Sequence, residues 1–131
     1  MTDDYIAYHA RRASVHPSSQ LFPLGLFHPD IVDDYRRLMA ACAPTGMKVF
    51  AQLWHGGNLY NGYDGGPSWA VSDIPGMLGL TGVRMTDGMI HELIEAYTRC
   101  AIKAREGGLH GVEVHAAHGY LPQQFLSPVY N

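Results

Sequence analysis

Gly111-Val-Glu-Val-His115-Ala-Ala-His118-Gly-Tyr120-Leu-Pro-Gln-Gln-Phe-Leu-Ser-Pro128 decides the fold, because a short apolar run stops abruptly in two histidines and a tyrosine. Short apolar runs bounded by turn residues are the pattern of buried strands. In parallel α/β folds, ligands and catalysis collect beyond the C-terminal ends of strands. Upstream, Ala51-Gln-Leu-Trp-His55-Gly-Gly-Asn58 repeats the arrangement: an apolar strand that runs into a polar, glycine-rich turn.

Each strand follows a helical pattern. Ile31, Val32, Tyr35, Leu38, Met39 and Cys42 recur at helical spacing behind Asp30, Asp33 and Asp34, whose charge suits a helix N-terminus, and Pro44-Thr-Gly46 ends the run. Ile90, Leu93, Ile94, Tyr97, Ala101 and Ala104 mark a second helix, with Thr86 or Asp87 as N-cap and Gly107-Gly108 as the stop. The order helix, strand, helix, strand with tight exits predicts α/β units around a parallel sheet.

Strand alternation then assigns faces. Met47, Val49, Ala51 and Leu53 on the first strand, and Val112 and Val114 on the second, are expected to meet helices. Lys48, Phe50 and Gln52, with Gly111, Glu113 and His115, face the other way, where Lys48 and Glu113 are expected to pair across neighbouring strands. Charged residues inside and helices outside suit a (β/α) barrel better than a doubly wound sheet. Between Trp54 and Met85 the chain is irregular and rich in glycine, and a loop of that length reads as a lid or pocket wall.

Composition narrows the function classes. The 131 residues are 47% hydrophobic and 16% charged, which is globular, and the net charge of -3 without a basic run gives no footprint for nucleic acid or an anionic membrane. No apolar stretch approaches the roughly 18 residues that span a bilayer, and Met1-Thr-Asp-Asp4 is unlike a signal peptide, so the expected location is cytoplasmic. Cys42 and Cys100 fall on the apolar sides of the two helices and are expected as buried thiols. Of eight histidines, only His55, His115 and His118 share a plausible site.

The run from His115 through Gly119-Tyr120-Leu121 to Ser127-Pro128 and Asn131, with Ala51-Gln-Leu-Trp-His55-Gly and the weaker Val15-His-Pro17, resembles the old yellow enzyme family. The resemblance implies a TIM (β/α)8 barrel, FMN as cofactor and NAD(P)H as electron donor. It implies a cofactor-binding Gln52, whose amide meets the flavin pyrimidine edge. It also implies that His115 and His118 bind the carbonyl oxygen of an α,β-unsaturated substrate, and that Tyr120 protonates its α-carbon. His55 would shape the pocket; Trp54 and Trp69 would wall it or lie buried.

A complete barrel needs about 250 residues, so residues 1–131 are expected to form an incomplete FMN-oxidoreductase domain, about half of a barrel. Arg11-Arg12-Ala13 runs directly into Ser14-Val15-His16-Pro17 where the family has its second strand, which therefore reads as deleted. Little turnover or flavin binding is expected of the isolated chain, with a small molecule as partner and homo-oligomerisation of a longer parent left open. Two other classes stay open. One is a metal-dependent TIM-barrel hydrolase with His55, His115 and His118 as ligands; the other is a non-catalytic vestigial half-barrel with open sheet edges.

Overall fold

The computed structural model describes residues 1–15, 20–23, 30–61, 66–76 and 78–131. His16 and Pro17 of the Val-His-Pro match, and His28, lie outside them. Within them the chain divides into two compact units, Met1–Leu53 with Ala96–Glu113 and Trp54–Glu95 with Val114–Asn131.

In the first unit, α1 (Asp3–Val15) precedes β1 (Gln20–Pro23), α2 (Ile31–Cys42), a 3₁₀ turn (Ala43–Thr45) and β2 (Val49–Leu53). The helical spacing of Ile31, Tyr35, Leu38 and Cys42 buries one face of α2. Gly46 then takes φ 70, the left-handed conformation that ends a helix cheaply. Alternation on β2 buries Val49, Ala51 and Leu53 and leaves Phe50 and Gln52 half-buried. These faces join Met47, Cys100, Ala104 and Leu109 in one apolar core. Both cysteines are free and buried, as their positions in the helical pattern predict.

The helix α3 (Asp87–Glu106) contributes Cys100 and Ala104 to that core and ends at Gly107. A Cβ at Gly107 would stand 2.3 Å from the Cβ of Tyr35, so only glycine lets the two chain segments approach this closely. β5 (Gly111–Val114) follows, and the sheet order is β1-β2-β5. β1 pairs parallel with β2, Gln20 opposite Val49 through Pro23 opposite Gln52. On the β5 side His110 grips β2 twice: its N–H donates to the Val49 carbonyl (2.9 Å) and its Nδ1 accepts the Val49 N–H (3.1 Å).

Several expectations are corrected here. No strand was expected before Met47, yet β1 lies there; Gln-Leu-Phe-Pro is too short to carry a period and ends in proline, which argues against a central strand. α1 also escapes the pattern, because the buried residue among its described side chains is a histidine, His9. Val112 and Val114 are 36% and 51% exposed rather than covered by helices, because among the described residues no helix makes an extensive contact with β5. Glu113 accepts from Gln52 Nε2 (2.7 Å), not from Lys48, because pairing of His110 with Val49 sets Gln52, three residues on, beside Glu113. The three-stranded sheet of the described residues is not a closed barrel, which agrees with the expectation of a partial one.

The second unit gives order to the segment expected to be irregular. A 3₁₀ turn (Gly57–Leu59) is followed by β3 (Trp69–Ala70) and β4 (Val83–Arg84), which pair in parallel. Asn58 is buried and donates to the Ile74 carbonyl (2.9 Å). Thr86 caps the start of α3 through its hydroxyl, which accepts the Met89 N–H (3.3 Å). The short helix α4 (Leu121–Leu126) follows Tyr120 and buries Leu121 and Gln124. Among the described residues no helix is long and apolar enough to cross a membrane.

Candidate functional site

The second unit brings His115, His118 and Tyr120 together and also contains His55, whereas Gln52 belongs to the first. β5 ends at Val114, so His115 is the first residue past the strand. Three residues on, His118 has φ 56, the one non-glycine with positive φ among the described residues. That backbone is uncommon for a residue with a Cβ and signals a local constraint. The turn brings His118 Nδ1 to 3.1 Å from His115 Nε2, with the rings perpendicular and their centroids 4.9 Å apart. Tyr120 packs edge-on against His115 at 4.7 Å.

Two aromatic rings complete the cluster. Trp54 lies 5.2 Å from the Tyr120 ring and 5.5 Å from that of Tyr60, and the two tyrosine rings are 6.1 Å apart. Trp54 is 38% exposed and Tyr60 47%, so burial, one of the two roles open to Trp54, does not describe it. Hydrogen bonding to Tyr60, then burial, pushes the Tyr120 phenol above its usual pKa. A tyrosine phenol keeps its proton through neutral pH in any case, and this shift acts in the same direction. Tyr60 was missed from sequence because Asn-Leu-Tyr-Asn has neither periodicity nor a recognisable spacing to Tyr120.

His55 plays a different part. Its Nδ1 accepts the Gly57 N–H (3.1 Å), its carbonyl accepts the Leu121 N–H (2.9 Å), and its ring stacks on Trp69 at 6.5 Å. Burial pulls its pKa down, which keeps the ring neutral and able to accept. It thus braces the start of α4, consistent with shaping a site. Among the described residues no three His, Cys, Asp or Glu side chains are grouped to hold a metal ion.

Gln52 belongs to the first unit. Its amide is half-buried near the end of β2, and its Nε2 donates to the Glu113 carboxylate. A carboxylate can only accept, so this bond turns the amide oxygen of Gln52 away from Glu113.

Comparison with known proteins adds an independent line. The model of the NADH:flavin oxidoreductase / NADH oxidase family matches residues 9–131. A metal reductase of Desulforamulus reducens is 40% identical over 98 residues, 73% of this chain and 15% of that protein. An NADPH dehydrogenase of Bacillus velezensis is 35% identical over 109 residues, 82% of this chain and 32% of that protein. The chain therefore spans about a third or less of these curated relatives. The crystal structure of Old Yellow Enzyme from Pichia sp. AKU4542 superposes with a TM-score of 0.84 at 23% identity, covering 100% of this chain and 41% of that one. That likeness concerns the fold, which is part of the one seen there.

Proposed function

The chain belongs to the NADH:flavin oxidoreductase / NADH oxidase family, and from that membership we propose that it is a segment of an FMN-dependent oxidoreductase that takes electrons from NAD(P)H and reduces activated C=C bonds of α,β-unsaturated carbonyl compounds. The supporting observation is the 3.1 Å approach of His118 Nδ1 to His115 Nε2, with the Tyr120 ring against His115. Two ring nitrogens this close can both direct N–H groups at one oxygen. Without a ligand, one of them must accept from the other.

Bound in this way, a substrate carbonyl would lose electron density to two donors, and the pair would stabilise the negative charge that develops on its oxygen. Tyr120, a phenol that carries its proton at neutral pH, would deliver it to the carbon next to the carbonyl. Trp54 and Tyr60, partly exposed beside Tyr120, would exclude water from one side of the substrate. FMN, when bound and reduced, supplies the hydride. Gln52 fits such a group, since its amide oxygen, turned from Glu113, suits the N–H of the flavin imide.

The isolated chain is proposed to bind flavin weakly, because three strands do not enclose a cofactor. The test uses the longest polypeptide in which this segment is expressed, loaded with FMN. Replacing both His115 and His118 by alanine should abolish most alkene reduction and leave flavin content unchanged. Full alkene turnover in that double variant would sink the assignment.

A further inference from the structure

Gly119 lies between His118 and Tyr120, and it is held at both of its backbone groups. Its N–H donates to Gln123 Oε1 (2.6 Å), and its carbonyl accepts from Gln124 Nε2 (2.6 Å). We propose, resting on the reading of His115 and His118 as a carbonyl-binding pair, that Gln123 and Gln124 are positioning residues that set the His118 and Tyr120 side chains by clamping the two peptide planes flanking Gly119.

The division of labour follows from covalent geometry. The Gly119 N–H is part of the peptide joined to His118, and the Gly119 carbonyl is part of the peptide joined to Tyr120. Gln123 therefore restrains one plane and Gln124 the other. The restraint is needed because His118 occupies a left-handed conformation that L-residues with a Cβ populate rarely. Released, the turn would relax toward commoner dihedrals and move the imidazole away from His115.

Gln124 is itself immobilised. It is 1% exposed, its backbone N–H donates to the Tyr120 carbonyl (3.0 Å), and it packs on Gly57, where a Cβ would come 2.4 Å from its amide. Gly57 has φ 60, so both the space and the backbone there require glycine. Gln123, by contrast, is exposed and holds Gly119 from solvent. The neighbouring amides thus play opposite roles: Gln123 accepts and Gln124 donates.

Glutamate keeps the acceptor and loses the donor, and the experiment uses that asymmetry. In the full chain with 15N-labelled histidine and glycine, NMR follows the ring nitrogens of His115 and His118 and the exchange of the Gly119 amide. Q123L should speed that exchange by about tenfold or more, the signature of a local opening, and shift the His118 ring signals. Q123E should return both to the unsubstituted values. Q124L and Q124E should both disturb the His115–His118 signals, because each lacks the donor. If the Q124 variants lose their helical circular dichroism, the exposed Gln123 decides the matter alone. Exchange and ring signals left unmoved by Q123L, or a Q123E variant that behaves like Q123L, would overturn the proposal. None of these readouts involves flavin or substrate, so failure of the alkene-reductase reading would leave them standing, and their failure would leave that reading intact.

Discussion

The two units are held together by different means. In the first, the main buried cluster is apolar, built from one face of α2, alternate residues of β2 and the end of α3, with His9 of α1 as the buried polar side chain outside it. In the second, Leu59, Ala70, Met85 and Leu121 share the interior with the amides of Asn58 and Gln124, which hydrogen-bond to main-chain carbonyls. Apolar packing tolerates adjustment of side chains while it keeps the fold. Amides bonded to a turn specify where that turn's own side chains go. The catalytic candidates lie in the unit of the second kind.

Substitutions can separate these roles. The largest effect is expected in the second unit: replacing His115 and His118 by alanine in the flavin-loaded protein should lower alkene turnover by about a hundred- to a thousandfold, the usual cost of lost oxyanion donors. The melting temperature should barely move, because His118 is exposed and His115 is only half-buried. Leu38→Ala should do the reverse. Leu38 is fully buried, and its truncation should cost about 2–5 kcal/mol, read as a fall in melting temperature of roughly 10 °C or more. The His115–His118 ring signals should survive wherever the chain stays folded.

Gly107→Ala is a smaller intrusion into the same core. The new Cβ meets Tyr35 at 2.3 Å, and overpacking of this kind should cost about 1–3 kcal/mol in denaturant titrations. A fit of the variant within error of the original would mean that α2 and the end of α3 are free to separate.

High pH should loosen the first unit gradually. Burial pushes Tyr97 up to about 12 and raises Tyr35 as well. A phenol whose folded pKa is raised stays neutral in the folded state after the unfolded chain has ionised. Its contribution is therefore complete below about pH 10 and is lost as pH climbs through the window up to about 12. Melting curves recorded across that window should fall for the parent and less for Tyr97→Phe. The smallest change is expected from Tyr60→Phe, which should move the Tyr120 phenol back down toward its usual value, seen by tyrosinate absorbance, without altering the core.

The first unit was legible where burial is periodic. Ile31, Tyr35, Leu38 and Cys42 announce α2, Val49, Ala51 and Leu53 announce β2, and Gly107-Gly108 mark the end of α3. It was illegible where burial is polar or the element too short, as with His9 on α1 and the four residues of β1. In the second unit, His115, His118 and Tyr120 stood out as residue types collected at a strand end. Tyr60 and the two glutamines did not, because a ring contact or a bond to a main-chain group leaves no repeat in the sequence. The partner of Glu113 is illegible for a related reason: opposite charges on neighbouring strands suggest a pair, yet Gln52 takes that place.

His110 carries one more consequence. With its ring nitrogen on the Val49 N–H, it does for β2 what a carbonyl of an adjoining strand would do. A carbonyl is fixed by the strand it belongs to, whereas an imidazole reaches its partner through rotatable side-chain bonds. The seam between β2 and β5 therefore contains a side-chain stitch beside a main-chain one, the His110 N–H on the Val49 carbonyl. The alignment of β2 with β5 at this point therefore depends on the rotamer of one side chain as well as on the main chain, and whatever turns that ring also frees the Val49 amide.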